Sequence, residues 1–263
     1  MKRVYYFSLF LTIGLSIFAS GGGGEKVVSV DTKEYEKLSP QQKVWTLAQE
    51  GRVKELRALL DECKRKGFRI YLSPGSTVPG ENRWATPVRI QSPLVVAVIN
   101  DHVEVVRLLL DKGASVNAVN HYNSTVLMLA ARFGHAEIIR LLLDRGADIT
   151  IRDRQGYNPL MIALKYGSFD VIRLLLDKGA IVNESDYYHG MTPLMLAAKI
   201  GNAEAVRLLL ERGARINAEN NDHQTPLMIA SANEHVEIVQ LIQEKIDSLA
   251  GEVVGGGADA DAQ

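Results

Sequence analysis

The chain has 263 residues, 46% hydrophobic and 23% charged, with 30 Lys and Arg against 31 Asp and Glu and one Cys. Such fractions belong to a chain that folds, over one or two domains. A formal charge of -1 supplies no bulk field for phosphate, so nucleic acid is excluded as the main partner unless a local patch collects it. The single thiol, Cys63, excludes an internal disulfide, a Cys-rich zinc site and a Cys-x-x-Cys redox pair.

Lys2 and Arg3 precede an apolar run from Val4 to Phe18 and the small residues Ala19, Ser20 and Gly21. This order of charge, apolar run and small residues predicts a secretory signal peptide over 1–21. The run is shorter than the roughly 20 residues that cross a bilayer as a helix, so an uncleaved anchor is the weaker alternative. The expected location is periplasmic or secreted, with no stable membrane insertion after cleavage. Residues 22–38, opening on Gly21 to Gly24, read as a flexible linker. In an oxidising compartment the lone Cys63 is expected to be buried.

Ser39-Pro40-Gln41-Gln42 presents an N-cap Ser, a Pro at the first helical position and a Gln three residues after the cap. A short helical pair is expected over 39–63. From Asp61 to Ser92 the chain is about 17 residues longer than equivalent spans further on, so 64–91 reads as an inserted loop. It carries Lys64, Arg65, Lys66, Arg69, two Pro-Gly turns and Trp84. Long loops in compact domains tend to be functional or disordered. Arg69 and Trp84 are possible partner contacts; a solvated loop that packs Trp84 back on the fold is the other reading.

Beyond Ser92 the sequence repeats. LLLDKGA, LLLDRGA, LLLDKGA and LLLERGA end on Ala114, Ala147, Ala180 and Ala214, and their glycines are spaced by 33, 33 and 34 residues. A second set keeps the phase: Ser92-Pro93-Leu94, Thr125-Val126-Leu127, Asn158-Pro159-Leu160, Thr192-Pro193-Leu194 and Thr225-Pro226-Leu227. Ser, Thr or Asn before Pro caps and starts a first helix. Gly134, Gly167 and Gly201 are expected to end it in a tight turn, and segments such as His135 to Leu143 carry apolar residues at helical spacing into a second. A period near 33 predicts a stack of such units, a solenoid.

The stretches TPLMLAA (Thr192 to Ala198), AARFGH (Ala130 to His135), Val105 to Leu110 and GASVN (Gly113 to Asn117) resemble the ankyrin-repeat family. The resemblance implies an all-α solenoid of stacked helix-turn-helix units with β-hairpin-type loops. Five repeats are expected over about 87–246, a degenerate capping repeat over 39–63, and a domain spanning 39–246. Residues 247–263, ending in GGGADADAQ, read as a flexible tail. Three departures stand out. Met128, Met161, Met195 and Met228 replace the family's His, with Val95 in the first full repeat, so the hydrogen bond of that His is expected to be absent. Asp101 and Glu234 stand where Gly closes the first-helix turn, and Gln243 replaces the last Leu of the terminal repeat, as an outer cap should.

Candidate chemistry is sparse. His102, His135 and His235 each precede a Glu by two residues, the opening of a zinc-deaminase signature whose Pro-Cys-x-x-Cys element one Cys cannot supply. They read as turn and helix-start residues. No Gly-x-Ser-x-Gly, P-loop or His-Glu-x-x-His string occurs. No catalytic, metal or cofactor residue is therefore expected, and the Met column reads as core.

In the resembling family the loop tips and the exposed side of the first helices form a concave binding surface. The matching positions are Tyr122, Arg132, Phe133, Arg154, Tyr157, Lys165, Tyr166, Tyr188, His189 and Lys199. Aromatics beside Arg are the usual anchors of protein interfaces. Stacking of some rings between adjacent repeats is the alternative, and the register of Tyr187 and Tyr188 stays open because their loop is one residue longer. The expected function is an exported, non-catalytic, monomeric binder of another protein. An inhibitor or immunity protein neutralising an exported enzyme, and a membrane-tethered scaffold, stay open beside it. A hydrolase built on the insertion lacks a matched nucleophile and base.

Overall fold

The computed structural model describes residues 35–72, 92–120 and 122–255. The signal-peptide segment, Trp84, His121 and the end of the tail lie outside them. Among the described residues there are twelve helices in six successive pairs and no strand; an isolated bridge joins Val119 to Thr125. The fold is all-α, built of successive helix pairs. It divides into a unit through Ser115 and a unit from Val116.

The first unit holds α1 (Pro40–Gln49), α2 (Val53–Arg65), α3 (Pro93–Ile99) and α4 (Val103–Asp111). Ser39 and Gln42 form the expected reciprocal cap: the Gln42 amide donates to Ser39 Oγ and Ser39 N–H to Gln42 Oε1. Val44, Leu47, Leu56, Leu60, Leu94, Val105 and Leu109 make its core. His102 packs over Gly51, where an added Cβ would meet the imidazole at 2.9 Å, and its Nε2 lies 2.8 Å from the Gln49 carbonyl. That is a packing role, not a metal-ligand one.

Two expectations about this unit's margins change. Tyr35 is half-buried under Lys43 and Tyr35–Glu36 are helical, so the linker assigned to 22–38 gives way to ordered chain by Tyr35. The insertion also begins as structure. α2 continues to Arg65, and the Gln41 side chain donates to the Tyr71 carbonyl and accepts from its N–H, at 2.9 and 2.8 Å. Arg69 is exposed on this returning stretch. Cys63 is buried, and burial pushes its thiol above the usual cysteine range.

The second unit holds α5 (Val126–Phe133), α6 (Ala136–Asp144), α7 (Pro159–Tyr166), α8 (Phe169–Asp177), α9 (Pro193–Ile200), α10 (Ala203–Glu211), α11 (Pro226–Ala232) and α12 (Val236–Gly255). First helices α5, α7, α9 and α11 pack in sequence, as do second helices α6, α8, α10 and α12. Thr125, Asn158, Thr192 and Thr225 each accept from the backbone N–H three residues on. The Leu pairs do the packing: Leu142, Leu175 and Leu209 are fully buried.

The departures resolve individually. Met128, Met161 and Met195 are core, but Met228 is 55% exposed on α11, the last first helix. The lost histidine bond is partly replaced: Met195 Sδ accepts from the Thr192 N–H at 3.4 Å, as a thioether weakly can. Gly167 ends α7 as expected, but not through a left-handed turn. Its φ of -86° is ordinary, and Gly is needed because a Cβ would stand 2.8 Å from the carbonyl oxygens of Ala131 and Ala163. Finally, α12 runs to Gly255, where a flexible tail was expected from residue 247. Glu244, Lys245, Leu249, Ala250 and Glu252 are good helix formers and carry the helix past Asp247 and Gly251.

Asp101 and Glu234 keep the left-handed geometry of the glycines they replace, at φ 59° and 58°. A Cβ there costs roughly 1–2 kcal/mol, partly offset by the greater freedom of Gly in the unfolded chain. Glu234→Gly should therefore raise stability by about 0.5–1 kcal/mol, read from the urea midpoint by circular dichroism. An unchanged or lower midpoint would show that the Glu234 side chain holds something the backbone geometry does not reveal.

Candidate functional site

The loops between units are built on one side-chain oxygen each. Asn120 Oδ1 accepts from the amides of Tyr122 and Ser124. Asp153 Oδ1 accepts from Gln155 and Tyr157, and Asn220 Oδ1 from Asp222 and Gln224. Asp186 Oδ1 takes three, from Tyr188, His189 and Gly190, at 3.1, 2.6 and 3.1 Å. A short polar side chain of this kind imitates a backbone turn. Each tip is closed by a backbone pair across its base, such as Asp153 N–H to the Tyr157 carbonyl at 3.0 Å.

Tips fixed in this way reach one another. Arg154 N–H donates to the Tyr122 carbonyl at 3.0 Å, Tyr187 N–H to Gln155 at 3.0 Å, and Asn221 N–H to His189 at 2.9 Å. Asn183 adds a second connection, accepting from the Arg215 amide and donating to the Gly213 carbonyl. Register at the longer loop follows from the ladder. Tyr187 occupies the position of Arg154, and the extra residue falls before Gly190.

On this backbone the rings and cations interleave. Arg132 lies 4.7 Å over the Tyr166 ring, and Lys165 lies 5.2 Å over Tyr166 and 5.1 Å over Tyr157. Phe133 stacks on His135 with centroids 5.9 Å apart. Tyr122, Phe133, Tyr166 and Tyr188 are exposed, as are the side chains of Arg154, Lys165, His189 and Lys199. Tyr157 differs: it is half-buried, and desolvation pushes its phenol above the usual tyrosine range, against the pull of Lys165. It supports Lys165 more than it offers surface.

Arg152 was missed in the sequence, and Tyr187 stood there only as one side of an open register. Arg152 lies 4.3 Å over the Tyr187 ring, donates to the Gly156 carbonyl at 2.9 Å and to the Ser185 carbonyl, and stands 4.0 Å from Glu184. It ties two neighbouring loops together. Its signal was the column 120, 153, 186 and 220, always Asn or Asp, whose spacing fixes which residue is the tip.

Charge is segregated. The four first helices VLMLAARF, PLMIALKY, PLMLAAKI and PLMIASA carry Arg132, Lys165 and Lys199 and no carboxylate. The acids Glu137, Asp144, Asp170, Asp177, Glu204 and Glu211 sit on the second helices. Among the described residues no group of three or more His, Cys, Asp and Glu is placed to hold a metal ion.

A family model described as ankyrin repeats matches in three copies, over residues 48–153, 94–186 and 181–250. The chain is 30% identical over 125 residues to a probable E3 ubiquitin-protein ligase, XBOS32, of Oryza sativa subsp. japonica, covering 48% of the chain and 19% of that protein. It is 43% identical over 56 residues to a second probable ligase of the same plant, XBOS33, covering 21% of the chain and 11% of that protein. The chain thus spans a fifth or less of the length of these relatives.

Because Asp186 organises three amides and is itself buried, Asp186→Ala should lower stability by about 2–3 kcal/mol, whereas Asp186→Asn, which keeps an acceptor, should cost less than half as much. Urea denaturation of both variants checks this. Equal losses would contradict the acceptor role.

Proposed function

The chain belongs to the ankyrin-repeat family, and on that premise we propose that it is an exported, non-catalytic protein that binds another protein through the face made by its loop tips and first-helix ends. Ankyrin repeats generally serve as binding scaffolds rather than catalysts. The observation that carries the reading is the set of exposed rings, Tyr122 and Tyr188 on loops joined by inter-repeat hydrogen bonds and Phe133 and Tyr166 at the ends of packed helices. Large rings on a fixed backbone lose little conformational entropy on binding, and such residues carry most interface energy.

Export is supported by the charge, apolar run and small residues of Met1 to Gly21. A buried, protonated Cys63 suits an oxidising compartment, because only the thiolate reacts. Among the described residues no helix is long and apolar enough to cross a membrane. Inhibition of an exported enzyme is one use of the same face. The ligase activity in the names of the two rice proteins forms no part of the proposal, since the chain covers at most 19% of either.

Affinity capture from the exported-protein fraction tests the reading. The chain should retain a protein that the Tyr122→Ala, Tyr166→Ala, Tyr188→Ala triple variant loses, with both folding alike by circular dichroism; truncating one anchor costs about 2 kcal/mol or more. Equal retention by both would move the binding surface away from this face.

A further inference from the structure

We infer that the ends of α5, α7 and α9 dock an acidic polyproline II segment of the partner, with one carboxylate per repeat. The inference rests on the protein-binding reading above and names the chemistry of what that face takes. Two adjacent positions recur along these helices. The first is a cation in each, Arg132, Lys165 and Lys199; the next is an exposed apolar side chain, Phe133, Tyr166 and Ile200, at 47, 48 and 47% exposure.

The cations are uncompensated. Their own helices contribute no carboxylate, and among the described residues no acid pairs with Arg132, Lys165 or Lys199. Three cations at or beside the second helices do pair, Arg212 with Asp177, Arg207 with Glu237 and Lys178 with Asp144; what sets Arg132, Lys165 and Lys199 apart is that they form one row on helices without acids. Arg132 and Lys165 lie instead against tyrosine rings, which are neutral. A ring restrains a cation without cancelling its charge. The row therefore offers positioned positive charge beside apolar surface, on a chain whose net charge of -1 conceals it.

Spacing selects the conformation of the occupant. Packed helices lie about 8–10 Å apart, so equivalent positions on α5, α7 and α9 recur at about that interval. Polyproline II has three residues per turn and rises about 3.1 Å per residue, so residues i, i+3 and i+6 share one face about 9 Å apart. In a β-strand the same face returns about every 6.6–6.8 Å, which loses step with the repeats. A triplet of acid, apolar residue and Pro then sets a carboxylate on each cation and an apolar side chain on each neighbour. Single-stranded nucleic acid also uses cations and rings, but it requires a basic groove tracking the backbone. Beyond α9 the row ends in Ala232 and Asn233, with Glu234 next to them.

Fluorescence anisotropy of the full chain with a labelled (Glu-Leu-Pro)3 peptide tests this. Binding should weaken about tenfold or more for (Gln-Leu-Pro)3, for a peptide of the same composition with its three Glu adjacent, and for the Arg132→Gln, Lys165→Gln, Lys199→Gln variant. It should also weaken between about 50 and 200 mM salt. Comparable binding of the Glu and Gln peptides, no binding of either, or tighter binding of a uridine 12-mer would overturn the inference. Any of these leaves the protein-binding reading to the capture experiment, where a partner lost by the aromatic variant but indifferent to the three Gln substitutions would sustain the broader reading alone.

Discussion

Each loop of the second unit depends on a single acceptor. Without the side-chain oxygen of Asn120, Asp153, Asp186 or Asn220, two or three backbone amides at each tip would have no partner inside the loop. With it, the tip is rigid enough for Arg154, Tyr187 and Asn221 to donate to the preceding repeat. The hydrophobic columns stack the helices that carry Phe133 and Tyr166, and the ladder decides where the loop rings Tyr122, Tyr187 and Tyr188 stand. That division follows from the physics: burial is non-directional, whereas a hydrogen bond fixes distance and angle.

The ladder gives the face its chemistry as well as its shape. Arg152 crosses from its own loop to Ser185 and lies over Tyr187, so one side chain connects two tips and orients a ring. Tyr157, half-buried, holds Lys165 from beneath while Tyr166 meets it from the helix end. The ion pairs between second helices and their neighbours are exposed, which keeps each worth about 1 kcal/mol or less. The result is a surface of rings and free positive charge whose parts are already ordered, so that binding need not order them.

Much of this was legible in the chain. The 33-residue period, the Ser, Thr and Asn caps and the Leu columns carry the helices, because helix starts and apolar faces are local signals. Tyr122, Phe133, Tyr166 and Tyr188 were legible as exposed because they occupy positions the repeat leaves unconstrained. Tyr157 was not: its half-burial depends on Lys165 and the adjoining loop, and no local pattern reports that. Gly167 ends α7 as the sequence suggests, but its need for Gly arises from the carbonyls of Ala131 and Ala163 rather than from its own dihedral angle, and no local pattern reports that. The role of the Met195 sulfur is local, three residues from Thr192, but a thioether is too weak an acceptor to be read as a cap partner.

Native-state hydrogen exchange at the amides of Arg154, Tyr187 and Asn221 tests most directly whether the inter-repeat ladder holds the face. All three should be protected in the folded chain, and Asp186→Ala should release Tyr187 and Asn221 while leaving Arg154 protected. Exchange of all three at the rate of open loops in the unaltered chain would contradict the account, because the rings would then stand on tips that nothing fixes.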